Sequence, residues 1–320
     1  MNKQSRLLIH VGVPKTATTT LQDGLFVSLN KQNQINYFGK TSECRSDKYH
    51  KVVKTLLFNR DKEKVTLTKN LLNVFSEEWL TSNPFNLKER FDIEVDSLNI
   101  PKELANYFDE VQCDVDVLIV IRNQQTRIYS HYLEAYDYLH KNKNHQTWET
   151  HLKTVLSNDN DFITYDYDQL INAYVSVFGD KHVHVLFYED FINDKLRFYQ
   201  ELSEVMNIEA SLLESLMVNT HLNKKEKDES GTKIEVRKLS KSKRLLYKIT
   251  HSKLIEPFYK KVRNTIILKK LKGNSLEEVL IEHQSIDQCA LIYEKYKESN
   301  MKLSKKYNID KRKLIRYNYY

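Results

Sequence analysis

Glycine and proline are scarce, six and four in 320 residues, so the chain carries few marks from which domain boundaries can be placed. Neither an internal repeat nor a low-complexity segment is present. The three cysteines, Cys44, Cys113 and Cys289, are odd in number and widely spaced. They fit neither a disulfide framework nor a zinc site, and a reducing cytoplasm is expected. Long hydrophobic runs are missing. The longest, residues 7–13 (broken by His10) and 117–121, have strand length, so no membrane span is expected. Polar residues follow the first run closely with no small-residue cleavage site, which argues against a signal peptide. Acids are sparse between residues 233 and 272, where only Glu235 and Glu256 face a long series of bases such as Arg237, Lys238, Lys243, Arg244, Lys260 and Arg263. That stretch, within a net charge of +7, reads either as a solvated helix face or as a contact for something anionic.

What is present is enough for a core: 40% hydrophobic residues, with 29% charged residues and a mean hydropathy of -0.60 that indicate a soluble protein. The length suits one large domain, or a domain with an appendage. Residues 7–13 read as a strand buried on both faces. A tight passage through Gly12 and Pro14 leads to a helix over residues 17–29, where Leu21, Leu25 and Leu29 share one face. Further strands are expected at 35–38, 71–75, 115–121 and 183–188, and helices near 125–139 and 194–206. The alternation predicts an α/β fold with three layers, α/β/α, around a mainly parallel sheet. Past residue 210 the strand signals fade. We expect a core over residues 1–210 and a mainly helical, basic region over 211–320 that completes the same domain.

The first chemical motif lies between the opening strand and helix: Pro14, Lys15, Thr16, Ala17, Thr18, Thr19, Thr20, Leu21. A loop at a helix N-terminus aims N–H groups at one spot, and the helix dipole favours negative charge there. Four threonine hydroxyls and one ammonium add to it. A helix cap would use a single threonine. The spacing is not that of a nucleotide triphosphatase, because Ala17 and Thr18 stand where glycine and lysine would be required. The second motif is a buried strand, 117–121, ended by Arg122, with Ser130 eight residues further on. A guanidinium at a strand's C-terminal edge offers a planar fork to phosphate, and Ser130 can add a donor from the following helix.

Together these segments resemble the sulfotransferases that use 3′-phosphoadenosine-5′-phosphosulfate (PAPS), in particular the bacterial ones. Pro14, Lys15, Thr16, Ala17, Thr18, Thr19, Thr20 and Leu21 match that family's 5′-phosphosulfate loop except at Ala17, where the family has glycine. The match then requires an ordinary helical backbone at Ala17. Arg122 and Ser130 match its 3′-phosphate site. Gln124 stands where proline is common, a change read as losing a helix-start preference and no ligand. The resemblance implies a P-loop NTPase-like fold and PAPS as co-substrate, with adenosine 3′,5′-bisphosphate as product and no metal required. The acceptor it implies is a carbohydrate hydroxyl or an anionic polysaccharide, sulfated by in-line displacement. Lys15 is expected to stabilise charge on the transferring and bridging oxygens.

Glu78 is the candidate general base, with Glu77 competing and His131 a further candidate. Arg237, near Gly231, is the nearest match to a late basic loop closing over the nucleotide. His10 reads as a strand histidine with a satisfied ring. Two other classes stay open. One is a P-loop phosphotransferase using Mg-ATP, which the position of Lys15 opposes. The other is a non-catalytic protein for anionic polymers or membrane surfaces; no nucleic-acid signature supports it, and peripheral membrane contact is left open.

Overall fold

The computed structural model describes residues 5–41, 46–58, 65–109, 113–217, 233–237, 276–281, 283–307 and 309–320. The chain divides into two compact units: Met1–His131, Leu152–Lys224 and Ser285–Tyr320 form the first, and Tyr132–His151 with Lys225–Gln284 form the second.

The first unit is built on five strands: β1 (Ser5–Gly12), β2 (Ile35–Tyr37), β3 (Leu72–Ser76), β4 (Cys113–Ile121) and β5 (Val183–Phe187). All pairings are parallel, in the order β2-β3-β1-β4-β5. Side chains alternate across such a sheet. Leu7, Ile9 and Val11 of β1, Phe75 of β3, and Val117, Ile119 and Ile121 of β4 face one apolar layer. That layer includes the helices Asp47–Phe58, Ile100–Asp109 and Tyr167–Phe178. Leu8, Val74, Leu118 and Val120 face the other, against Leu21, Leu25 and Leu29 and the helices Lys195–Met206 and Ala210–Met217. A strand buried on both sides cannot be half polar, which is why β1 and β4 read as nearly unbroken apolar runs. The expected three-layer α/β/α architecture is therefore present, with helices on both faces.

Several boundaries differ from expectation. β4 starts at Cys113, and Tyr188 begins a helix (Tyr188–Asn193) instead of ending β5. The first helix runs with i→i+5 hydrogen bonds over Thr20–Phe26 before continuing as Val27–Lys31. Past residue 210 the described residues are helical at Ala210–Met217, Ile286–Lys306 and Lys311–Arg316. The second unit, however, also holds an antiparallel pair, β6 (Lys233–Arg237) and β7 (Leu276–Leu280). Its period-two signal is only Ile234 and Val236 between charged residues, too short to stand out in a basic stretch. Also in this unit, His145 and His151 meet through their Nδ1 atoms at 2.6 Å, beside the rings of Tyr132 and Trp148. Among the described residues no helix is long and apolar enough to cross a membrane.

In this strand order the chain leaves β1 toward β3 on one side and β4 toward β5 on the other. The C-terminal ends of β1 and β4 therefore flank the point where the topology switches direction, the place where open parallel sheets receive ligands. Gly12 ends one of these strands and Arg122 follows the other.

Candidate active site

β1 hands over to the loop at Gly12, whose φ of 93° lies in the left-handed region. A Cβ on Gly12 would sit 3.1 Å from Cβ of Glu78, so space and conformation both call for glycine here. The Val13 N–H then donates to the Val120 carbonyl at 3.0 Å, pinning the loop to β4. Lys15 and Ala17 both have positive φ, 73° and 60°. The helical backbone expected at Ala17 is thus corrected: the residue is left-handed, and the helix begins after it. Left-handed residues within a tight loop let successive N–H groups line one concavity, a form a continuous helix cannot take.

The hydroxyls are divided between tasks. Thr16 Oγ1 donates to the Val13 carbonyl at 2.6 Å and closes the loop, and Thr18 Oγ1 donates to Glu78 Oε2. Thr19 stands at the helix start and makes no side-chain cap. The first helical bond runs from Leu21 N–H to the Ala17 carbonyl at 3.0 Å, so the N–H groups of Thr18, Thr19 and Thr20 are not taken up by the helix.

The two sequence motifs meet. Arg122 Nη1 donates to the carbonyl oxygen of Lys15 at 3.0 Å. Its Nε donates to Thr126 Oγ1 at 2.9 Å, and its guanidinium lies 4.7 Å from the centre of the Tyr188 ring. A cavity of about 340 Å³ opens beside it, lined also by Thr126, Tyr188, Glu189, Tyr317 and Asn318. Ser130 is half-buried on the helix Gln124–Leu139. His131, next to it, is buried, and its Nδ1 bonds the Tyr165 hydroxyl at 2.9 Å.

The neighbouring carboxylates have separate environments. Glu77 is fully buried: it caps the turn Glu78–Thr81 by accepting from Trp79 N–H at 3.0 Å, and it accepts from the Tyr49 hydroxyl. Burial holds its pKa above the usual carboxylate range. Glu78 faces the loop. One of its oxygens takes the Thr18 hydroxyl, and the other pairs with Lys40 Nζ at 2.9 Å. Lys40 reaches there because Gly39 packs tightly on β3: a Cβ on Gly39 would meet Ser76 N at 2.6 Å. Arg237 ends β6, and its side chain, like the whole of Gly231, lies outside the described residues.

Sequence reasoning missed Thr126, Tyr188 and Lys40. Thr126 stood in view, four residues after Arg122 at the start of a helix. Tyr188 follows from register, because Ile121 pairs with Phe187 and the next residues are Arg122 and Tyr188. Lys40 had no local signal.

A phosphate-type loop and a strand-end arginine that touch at the switch point of a parallel sheet are the build of an α/β protein for phosphorylated ligands. Residues 5–263 match the sulfotransferase domain family, and the chain belongs to it as a PAPS-dependent sulfotransferase. No curated protein sequence matches the chain. Among solved structures it is similar to the sulfotransferase of Alicyclobacillus acidocaldarius, at 12% identity and TM-score 0.43, covering 65% of this chain and 82% of that one. It is also similar to mouse sulfotransferase SULT7A1 complexed with PAP, at 14% identity and TM-score 0.38, covering 83% and 88%. A third is the sulfotransferase domain of the curacin biosynthetic pathway, at 11% identity and TM-score 0.34, covering 70% and 80%.

Proposed function

We propose that the chain grips PAPS between the loop at residues 14–20 and Arg122, and moves its sulfuryl group to a carbohydrate hydroxyl by in-line displacement. The observation that carries this is the 3.0 Å bond between Arg122 and the Lys15 carbonyl, which joins the two motifs in one place. The residues suit a nucleotide with phosphate at both ends. Loop N–H groups and Lys15 serve the 5′ side. Arg122, which keeps Nη2 uncommitted among the described residues, serves the 3′ side together with Ser130. The Tyr188 ring offers an apolar face beside the cavity.

Bound PAPS supplies the sulfuryl group and leaves as adenosine 3′,5′-bisphosphate. In our reading Lys15 stabilises the negative charge that builds on the bridging oxygen as its bond to sulfur breaks. Glu78 accepts the acceptor's hydroxyl proton as the new oxygen–sulfur bond forms. Thr18 and Lys40 hold that carboxylate at the mouth of the loop. Glu77, fully buried with its oxygens turned to Tyr49 and Trp79, suits a structural role better than that of base. The free thiols of Cys113 and Cys289 fit action in a reducing compartment.

The test combines ligand binding and turnover. Adenosine 3′,5′-bisphosphate without Mg²⁺ should raise the melting temperature, and Mg-ATP should do so poorly. Lys15→Ala and Arg122→Ala should keep the fold while lowering transfer from PAPS by about 10²-fold or more. Stabilisation by Mg-ATP alone, or normal turnover in either variant, would overturn the assignment.

A further inference from the structure

The turn after β4 is tied down residue by residue, and the ties lead to the far end of the sequence. The Arg122 N–H donates to the Tyr167 hydroxyl oxygen at 3.3 Å, and that hydroxyl donates back to the Arg122 carbonyl. The Asn123 N–H donates to Glu189 Oε1 at 2.8 Å, while Glu189 Oε2 accepts from the Tyr319 hydroxyl at 3.2 Å. Asn123 Oδ1 accepts from the Gln125 N–H at 3.0 Å, and its Nδ2 donates to two carbonyls, Tyr317 at 3.1 Å and Asn318 at 2.7 Å. Gln124 Nε2 donates to Asn300 Oδ1 at 2.9 Å, and Asn300 Nδ2 donates to the Tyr319 carbonyl at 2.9 Å.

Three successive carbonyls, of Tyr317, Asn318 and Tyr319, thus accept from side-chain amides that sit at or behind the Arg122 turn. Asn123 spends both N–H donors on this segment and its oxygen on the helix start, so its hydrogen-bonding capacity is engaged on both sides. Asn318, at φ 57°, makes the bend that presents the carbonyls. The Tyr319 ring is buried edge-on to Phe187 at 5.5 Å, directly before Tyr188, the ring on which Arg122 lies. A chain segment of this kind ordinarily satisfies its carbonyls with water. Here it trades water for amides that fix an arginine's backbone.

We propose that residues 317–319 are a positioning strap for Arg122. They hold the Arg122–Asn123 turn so that the guanidinium is already placed on Tyr188 and the Lys15 carbonyl before the nucleotide arrives. A long flexible side chain binds an anion more tightly when its backbone and rotamer are set in advance. The proposal rests on the reading of Arg122 as the 3′-phosphate ligand; Asn300 and Tyr319 stand outside the cavity and act through Arg122, and Asn123, which lines the cavity, has both amide donors turned to the strap.

Asn123→Ser and Asn123→Asp keep an oxygen for the Gln125 N–H and remove the donors to the strap. A chain shortened to end at Arg316 removes the strap itself, and Asn300→Ala loosens it from the other side. In the full-length background the Asn123 and Asn300 variants should raise KM for PAPS about tenfold, with kcat at saturating PAPS changed less than about twofold. The thermal shift produced by adenosine 3′,5′-bisphosphate should shrink in parallel, and the shortened chain should show the largest KM change. If the shortened chain does not fold, the point variants decide. Wild-type KM for PAPS in folded Asn123→Ser and Asn300→Ala would overturn the strap while leaving Arg122 as a ligand. Wild-type KM in Arg122→Ala would overturn the site assignment and the strap with it.

Discussion

Ala17 carries its Cβ into a region of backbone space where that atom crowds the following carbonyl, at a cost of about 1–2 kcal/mol relative to a right-handed residue. Glycine escapes that cost, though it brings extra freedom in the unfolded chain that offsets part of the gain. Ala17→Gly should therefore raise stability by about 1 kcal/mol, read as a shift in the urea midpoint with an unchanged slope. Loop function should persist, because the methyl group donates nothing to a ligand. A lowered midpoint would mean that the left-handed conformation at Ala17 is not the one populated. The chemistry of this loop was legible from residue types alone: one lysine and four threonines after a buried strand. Its backbone was not. Alanine is the best helix former, and nothing local reveals that the helix starts a residue later. Nor did the sequence reveal that Thr16 and Thr18 turn their hydroxyls to Val13 and Glu78. Gln124 was read as a lost proline and proves to be a buried amide bonded to Asn300, 176 positions away.

At the scale of the element, β1 shows what a two-face-buried strand does to an ionisable residue. His10 lies in its middle, fully buried, with Nδ1 at 2.7 Å from Ser76 Oγ. Ser76 Oγ also accepts from Gln22 Nε2 at 2.9 Å. His10 Nε2 has no partner among the described residues. The ring expected to be satisfied is satisfied at one nitrogen only. Burial pushes the His10 pKa down to about 3 from 6.5. Between those values the unfolded chain binds a proton that the folded chain refuses. His10's contribution to stability is therefore fully present above pH 6.5 and is lost as pH falls toward 3, with a slope of at most about 1.4 kcal/mol per pH unit. Glu77, raised by burial, has the opposite sign, since its contribution is lost as pH rises through its folded pKa. The informative quantity is the difference between wild type and His10→Gln, which keeps a polar group for Ser76 and cannot titrate. Denaturation series from pH 6.5 to 4 should show a shallower loss in the variant, and parallel curves would refute the buried neutral imidazole. Elements of this kind were the legible part of the fold. Apolar runs alternating with period-four stripes gave all five strands of the sheet and its parallel sense. The pairing of β6 with β7 escaped because its period-two signal is two residues long.

At the scale of the whole molecule, the last described helix is held by charge to the two helices that follow β5. Asp190 is fully buried on the helix that follows β5, and Lys313, 5% exposed, sets its ammonium 2.6 Å from Asp190 Oδ2, although not aligned for a hydrogen bond. The Tyr317 hydroxyl donates to the other oxygen of Asp190, and Glu201 is the second carboxylate against the same ammonium. Arg197 extends the cluster to Asp310 at 3.4 Å. No sequence window contains this network, since its two halves, residues 190–201 and 310–317, lie more than a hundred positions apart and each residue alone resembles an ordinary surface charge. Whether such a pair outdoes apolar packing of equal volume depends on its desolvation cost, but removal of one partner has a definite direction. Lys313→Met would leave the Asp190 carboxylate buried beside a single hydroxyl donor and should cost about 3 kcal/mol, measured by urea denaturation. Adding Asp190→Asn to Lys313→Met removes the stranded charge, so the double variant should be more stable than the single one. Because Lys313 stands one helical turn before Tyr317, the single variant should also weaken PAPS binding through the strap, and the double variant should recover part of that loss. A Lys313→Met protein as stable as wild type would show that the ammonium in solution does not occupy this site, and that the helix is held by its apolar residues Leu314 and Tyr319 instead.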